Sequence, residues 1–160
     1  MNVQIRDFHP QDTEQFLTVV RDLQAFELAI YDRMMPVVAI GDWYVDTLMK
    51  QCVEEGGSIL VAQFGGQVIG FATIFTKVQQ QGEIDEIPFT YGFISHISVT
   101  PAARGTGTGK LLIAECERRA RDAGCRWLRI PALAKNAPAR EIYEHLGFSE
   151  HLVTFEKSLK

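Results

Sequence analysis

The spacing of apolar residues changes twice within the first thirty positions. Val3, Ile5 and Phe8 stand near alternate positions and predict an opening strand. Phe16, Val19, Val20 and Leu23 then share one face of a helix that Asp12 can cap and that runs to about Phe26. Residues 29–41 are apolar but contain Pro36 and Gly41, which predicts a loop or broken helix. Asp42 reads as the cap of a second helix over 43–54, ended by Gly56 and Gly57. Residues 58–64 and 67–77 are strand-like runs flanking Gly65-Gly66, a two-residue hairpin signal. The polar, acidic stretch 79–88 reads as a loop and 91–100 as a strand. A Gly-rich turn over 101–109 opens a helix over 111–123 that Gly124 ends, and 126–131 reads as a short strand. Asn136 caps a helix reaching His145, with Pro138 tolerated in its first turn, and 148–155 reads as a last strand after Gly147.

The order β-α-α-β-β-β-α-β-α-β predicts an α/β (α+β) fold, with a mixed, mainly antiparallel central sheet flanked by helices. A length of 160 residues suits one domain over 1–160, and 46% hydrophobic with 22% charged residues excludes disorder as the main state. The net charge of −4 argues against nucleic acid as a partner. No apolar run approaches the ~20 residues of a membrane span, and the first twenty residues carry charges where a signal peptide would be apolar. Cys52, Cys116 and Cys125 form no metal knuckle or redox pair, so a reduced, cytoplasmic setting is expected. His9, His96, His145 and His151 make no zinc pattern, and no metal is expected. Charge is uneven: residues 1–100 carry 5 basic and 13 acidic side chains, residues 101–160 carry 11 and 7. This is either the chance distribution of solvated faces or a C-terminal part that meets an anion and an N-terminal part that meets a cation.

The sharpest chemical signal is the stretch Arg104, Gly105, Thr106, Gly107, Thr108, Gly109, Lys110, between a strand and a helix. Glycines there let backbone N–H groups approach an anion, and the helix N-terminus adds partial positive charge. The same glycines also suit a tight turn with no ligand at all. A Walker A loop fails, because Arg104 stands at the first glycine position and Leu111 where Ser or Thr would meet magnesium. The dinucleotide fingerprint fails too, because counting from Gly105 and Gly107 the third position is Lys110.

Arg104, Gly107 and Gly109 do fit Arg-x-x-Gly-x-Gly, and here the chain resembles the GNAT superfamily of acetyl-CoA-dependent N-acetyltransferases. Residues 68–72 (Val-Ile-Gly-Phe-Ala) look like that family's third strand. Residues 136–148 look like its late motif, with Asn136, Ala139, Tyr143, Gly147 and Phe148 in place. The resemblance covers about residues 58–157 well and 1–57 as a plausible start. It implies acetyl-CoA as cosubstrate, bound where the strands at 91–100 and 126–131 splay apart. Backbone groups of Ile97, Ser98 and Val99 would bond the pantetheine arm and the acetyl carbonyl, and residues 104–110 would hold the pyrophosphate. Asn136 matches a position that contacts the coenzyme arm. Tyr143 matches the general acid, and also contacts the coenzyme. In this reading 1–57 forms the acceptor side and 58–160 the coenzyme-binding core.

Family members often carry a carboxylate pair in the strand before the phosphate loop; here Ser95 and His96 stand there. His96 and Glu27 are the two candidate bases, each with a plain structural alternative: a hydrogen-bonded sheet histidine and a solvated helix glutamate. Regular alternation would point Ser95 and His96 to opposite faces. Cys116 and Cys125 suggest helix packing rather than acyl transfer. The resemblance implies that the 12–55 helices and the 79–90 loop border the acceptor; they carry Glu27, Asp32, Glu83, Asp85 and Glu86, with Phe26, Tyr31, Trp43 and Tyr44, which fits a small cationic amine. A protein N-terminus or lysine is the alternative acceptor, and a non-catalytic acyl-CoA sensor the alternative role. A homodimer is left open as the state of assembly.

Overall fold

The computed structural model describes residues 2–80, 82 and 84–159. In chain order the elements are β1 (Gln4–Asp7), α1 (Thr13–Ile30), α2 (Asp42–Glu54), β2 (Gly57–Phe64), β3 (Gln67–Gln79), β4 (Thr90–Val99), α3 (Thr108–Asp122), β5 (Leu128–Arg129) and α4 (Ala137–His145). Single 3₁₀ turns lie at Pro10–Asp12, Val37–Ala39 and Pro101–Ala103. The strands form one sheet in the order β1-β2-β3-β4-β5. Neighbours run antiparallel except β4 and β5, which are parallel.

Each face of the sheet is covered by the helices whose apolar stripes fit it. Phe16, Leu17, Val19 and Val20 of α1 and Val45 and Leu48 of α2 pack on Ile59, Val61 and Phe71. Leu112, Ile113 and Cys116 of α3 pack on Leu60, Ala62, Ala72, Ile74 and Ile94 of the other face. The odd and even residues of β2 thus serve opposite cores, as strand alternation requires. Cys116 is a packing residue there, and burial pushes its thiol up to about 12. Cys52 packs on the first core, and burial pushes its thiol up to about 11.

Polar bonds fix α1 and the loop after it. The Gln15 side chain accepts from the Val68 N–H at 2.8 Å and ties α1 to β3. Gln24 donates to the Met35 carbonyl at 2.6 Å, and Arg21 to that of Ile40 at 2.9 Å, so residues 31–41 are held along the helix. Before α1, the Asp12 carboxylate accepts from both terminal nitrogens of Arg6 and from the His9 N–H. The Arg6 hydrogen bonds are the main reason its carboxyl lies below the usual range.

Several expectations need correction. Helix α1 continues one turn past Phe26, to Ile30, which places Glu27 within it. Gly41, not Asp42, is the N-cap of α2, and Asp42 is its first residue. The strand expected at 126–131 is two residues long, because only Gly92↔Leu128 and Phe93↔Arg129 pair with β4. The last strand expected at 148–155 is not formed: residues 149–159 run without regular structure and are exposed. A strand exists only through a partner edge, so β-prone residues alone do not create one. Among the described residues no helix is long and apolar enough to cross a membrane.

Candidate functional site

The site lies where β4 and β5 part. Their ladder ends at Phe93 and Arg129, while β4 continues to Val99 and stays paired with β3 through Ile97↔Ala72, Ser98↔Phe71 and Val99↔Gly70. Ile97, Ser98 and Val99 therefore have one edge in the sheet and one facing the opening. Backbone N–H and C=O groups on an unpaired strand edge are free to bond an extended ligand arm.

The Gly-rich loop expected to hold phosphate, called the phosphate loop below, follows directly. Gly105 and Gly107 have φ of 75° and 88°, in the left-handed region where a side chain is strained, and Gly107 is the N-cap of α3. Among the described residues the N–H groups of residues 105–110 donate to no backbone carbonyl, as expected of a loop entering a helix. The two threonines brace the loop. The Thr106 hydroxyl donates to the Ala103 carbonyl at 2.7 Å and lies 2.8 Å from that of Thr108, which is buried. Thr108 can offer a ligand its N–H but not its side chain. Arg104 and Lys110 are exposed, and the Arg104 guanidinium lies over the Phe26 ring at 5.8 Å. Phe26 thus borders this loop. These unpaired donors and two cations fit a pyrophosphate, which is what acetyl-CoA would present.

Helix α4 follows β5, and its Tyr143 packs on the α3-side core. Asn136 caps it, its side-chain oxygen accepting from the Ala139 N–H at 3.3 Å. About two turns later Tyr143 is mostly buried, its ring 6.1 Å from that of Phe148. Burial, helped by the nearby Glu27 carboxyl, raises the phenol from its ordinary value near 10 to about 12. Tyr143 therefore holds its proton throughout the neutral range and has one to donate.

The candidate bases sit on the face covered by α1 and α2. The β3–β4 ladder pairs Thr73 with His96 and then Ile74 with Ile94, so Ser95 is an extra residue, a β-bulge. The bulge shifts the alternation. Ile94 and Ile97 both meet the α3 core, while His96 turns to α2, its ring 5.7 Å from that of Tyr44. Burial lowers the His96 pKa and keeps the ring neutral near pH 7. The Ser95 hydroxyl lies 3.0 Å from its Nδ1. Glu27, half-buried in the last turn of α1, has its carboxyl raised by burial. It acts on both phenols, because its charge helps burial raise Tyr44 and Tyr143. The Tyr44 ring meets that of His96, and the Glu27 charge reaches the phenols of Tyr44 and of Tyr143, whose ring packs on the α3 side of the sheet.

The other acceptor-side residues are more dispersed. Trp43 donates to the Ala39 carbonyl at 2.7 Å, and Tyr31 lies under the Arg33 guanidinium at 4.6 Å. Asp32, Asp85 and Glu86 are exposed, and Glu83 lies outside the described residues. One residue escaped the sequence reading. Thr73 is fully buried and its hydroxyl has no partner among the described residues. Only the register of β3 against β4 could have pointed to it.

Comparison with known proteins places the chain in a family and a fold. The chain is 29% identical to an aminoglycoside N(6')-acetyltransferase type 1 of Stenotrophomonas maltophilia over 60% of its length and 61% of the relative's. It is 30% identical to a mycothiol acetyltransferase of Nocardiopsis dassonvillei over 68% of its length and 34% of the relative's. The matches thus span less than two thirds of these curated relatives. Among solved structures, the aminoglycoside acetyltransferase AAC(6')-Iy with a bisubstrate analogue superposes with a TM-score of 0.72 at 21% identity, covering 99% of each chain. A transcriptional regulator from Bacillus halodurans superposes with a TM-score of 0.76 at 20% identity, covering 99% of this chain and 100% of that one. Both share the mixed sheet and flanking helices. The model of the acetyltransferase (GNAT) family matches residues 20–148, from α1 through the phosphate loop to the Phe148 that packs on Tyr143, and the chain belongs to that family.

Proposed function

We propose that the protein is an N-acetyltransferase that moves an acetyl group from acetyl-CoA directly to a primary amine of a small cationic molecule. The observation that carries this reading is the parting of β4 and β5 just before a Gly-rich helix entrance whose N–H groups have no backbone partner among the described residues. Acetyl-CoA supplies the activated acetyl thioester. The N–H groups of residues 105–110, with Arg104 and Lys110, hold its pyrophosphate. The free edge of Ile97, Ser98 and Val99 orients its arm and polarises the acetyl carbonyl. Asn136 closes the other side at the head of α4.

Glu27 attracts the ammonium of the acceptor. Neutral His96 takes one proton from it; the freed amine bonds to the acetyl carbon as the C–S bond breaks, the Tyr143 hydroxyl donates its proton to the departing sulfur, and the second proton leaving the nitrogen restores the Tyr143 hydroxyl. Buried thiols with raised pKa support direct transfer over an acyl-cysteine route. Residues 1–57 and 58–160 act as one domain, because β1 pairs with β2 and α1 packs on the sheet. Cys52, Cys116 and Cys125 are free, which supports a cytoplasmic setting. The reading includes a homodimer, supported by the uncovered Leu152, Val153, Phe155 and Leu159.

Thermal unfolding with acetyl-CoA, and with ATP as control, tests the coenzyme. Ligand at a hundred times its Kd adds about 2.7 kcal/mol, a rise in Tm of roughly 5–10 °C for this size. No rise, or a rise with ATP alone, would refute the assignment. A screen of amines by thiol release, with aminoglycosides included, then names the acceptor. Turnover only with peptide amines would select the protein acceptor, and none at all the sensor.

A further inference from the structure

The Thr73 hydroxyl is an anomaly. Leaving a buried hydroxyl without a partner costs about 1–3 kcal/mol, and valine would fill nearly the same space without that cost. Its surroundings are not arbitrary. Thr73 stands directly opposite His96 across the β3–β4 ladder. Phe71, two residues earlier, belongs to the core under α1 and α2, so Thr73 faces the same way and His96 faces with it. Opposite residues of an antiparallel pair have Cβ atoms about 4.5–5.5 Å apart, close enough for one water to join their polar atoms. The other nitrogen of the ring, Nδ1, is met by Ser95.

We propose that Thr73 and Ser95 are positioning residues for His96: Ser95 accepts the Nδ1 proton, which leaves Nε2 as the lone pair, and Thr73 holds a buried water on the path by which Nε2 takes up the acceptor's proton. A neutral imidazole has one donor and one acceptor nitrogen, so the partner of one decides the role of the other. If Ser95 donated instead, Nε2 would carry hydrogen and could take no proton from an ammonium. In the uptake step the acceptor's N–H bond breaks, its electron pair stays on nitrogen and the proton arrives on Nε2. Among the described residues, Tyr44 from α2 meets the His96 ring, and the Glu27 carboxyl of α1 acts on Tyr44 and on Tyr143 of α4. The β2 and β3 residues beside the pair, Ile59 and Phe71, are apolar.

The inference rests on His96 being the base, and its test stands apart from coenzyme binding. Nitrogen-15 spectra of the full chain with labelled histidine report tautomer and titration, with the His96 signals identified by their loss in His96→Gln. Wild type is expected to show the Nδ1-protonated tautomer, and Ser95→Ala to move it toward Nε2–H. Thr73→Val is expected to keep or raise Tm and to keep the acetyl-CoA-induced rise. It is expected to lower the His96 titration by about half a pH unit, as the imidazolium loses a solvating partner. Acetyl transfer to the amine found by the screen should slow about tenfold, and Thr73→Ser should restore it. A wild-type Nε2–H tautomer, or a His96 titration unmoved in Thr73→Val, would overturn the proposal whether or not acetyl-CoA binds.

Discussion

At the scale of single residues, burial assigns the protons. Tyr143 keeps its proton because a phenolate would be costly where it sits, and its pKa near 12 makes it a donor across the neutral range. Tyr143→Phe removes only the hydroxyl. It is expected to lower kcat by about a hundredfold or more while leaving the acetyl-CoA-induced rise in Tm intact. Single-turnover thiol release against thermal unfolding separates the two effects, and an unchanged kcat would remove the acid role. Burial of His96 sets a pH dependence whose sign follows from linkage. Its folded pKa lies below the ordinary 6.5, so the unfolded chain binds a proton that the folded one refuses. Stability is therefore expected to fall as pH drops through 6.5, and His96→Gln to flatten that fall in denaturant titrations over pH 5–8. The place of Tyr143 on a helix capped by Asn136 could be read from its motif. The side to which His96 turns could not, because strict alternation separates it from Ser95, and only the bulge at Ser95 puts the ring beside Tyr44.

At the scale of elements, local chemistry was legible and pairing was not. The Gly65-Gly66 turn, the Asn136 cap and the glycines before α3 each answer to a backbone demand within a few residues: φ of 56° and 82° in the hairpin, an orphan N–H at Ala139, φ of 88° at Gly107. The extent of β5 depends on where β4 leaves it, and the missing last strand depends on an edge to join, so neither is written in the strand's own residues. The phosphate loop offers the cleanest test at this scale. Gly107 caps α3 in the left-handed region, and asparagine tolerates that region nearly as well as aspartate does. Gly107→Asn and Gly107→Asp should therefore lose similar stability, on the order of 1 kcal/mol. Only the aspartate sets a negative charge where the helix N-terminus would meet pyrophosphate, and it should weaken acetyl-CoA binding at least about tenfold more than asparagine. Calorimetric titration of both variants decides, and equal affinities would place the anion elsewhere.

At the scale of the whole molecule, the two cores account for the sheet and its helices, but not for the end of the chain. Leu152, Val153, Phe155 and Leu159 are 82%, 56%, 92% and 93% exposed, in a segment whose ion pairs run from Glu150 to Arg140 and from Glu156 to Arg33. Such exposed pairs are screened by solvent and contribute too little to order eleven residues against their chain entropy. If the segment served only the monomer, removing residues 150–160 would leave Tm nearly unchanged at every protein concentration, because almost no apolar area is withdrawn from solvent. If a second copy covers these side chains, as the homodimer reading holds, the full chain should sediment as a dimer. Its Tm should then rise with protein concentration, since association stabilises by mass action. The truncated chain, and full-length Phe155→Asp, should sediment as monomers whose Tm no longer depends on concentration. The acetyl-CoA-induced rise should persist in both, because the phosphate loop and the parted strands lie within residues 94–145. Sedimentation of the full chain as a monomer up to about a hundred times the enzyme's assay concentration would overturn the dimer and leave the coenzyme site untouched.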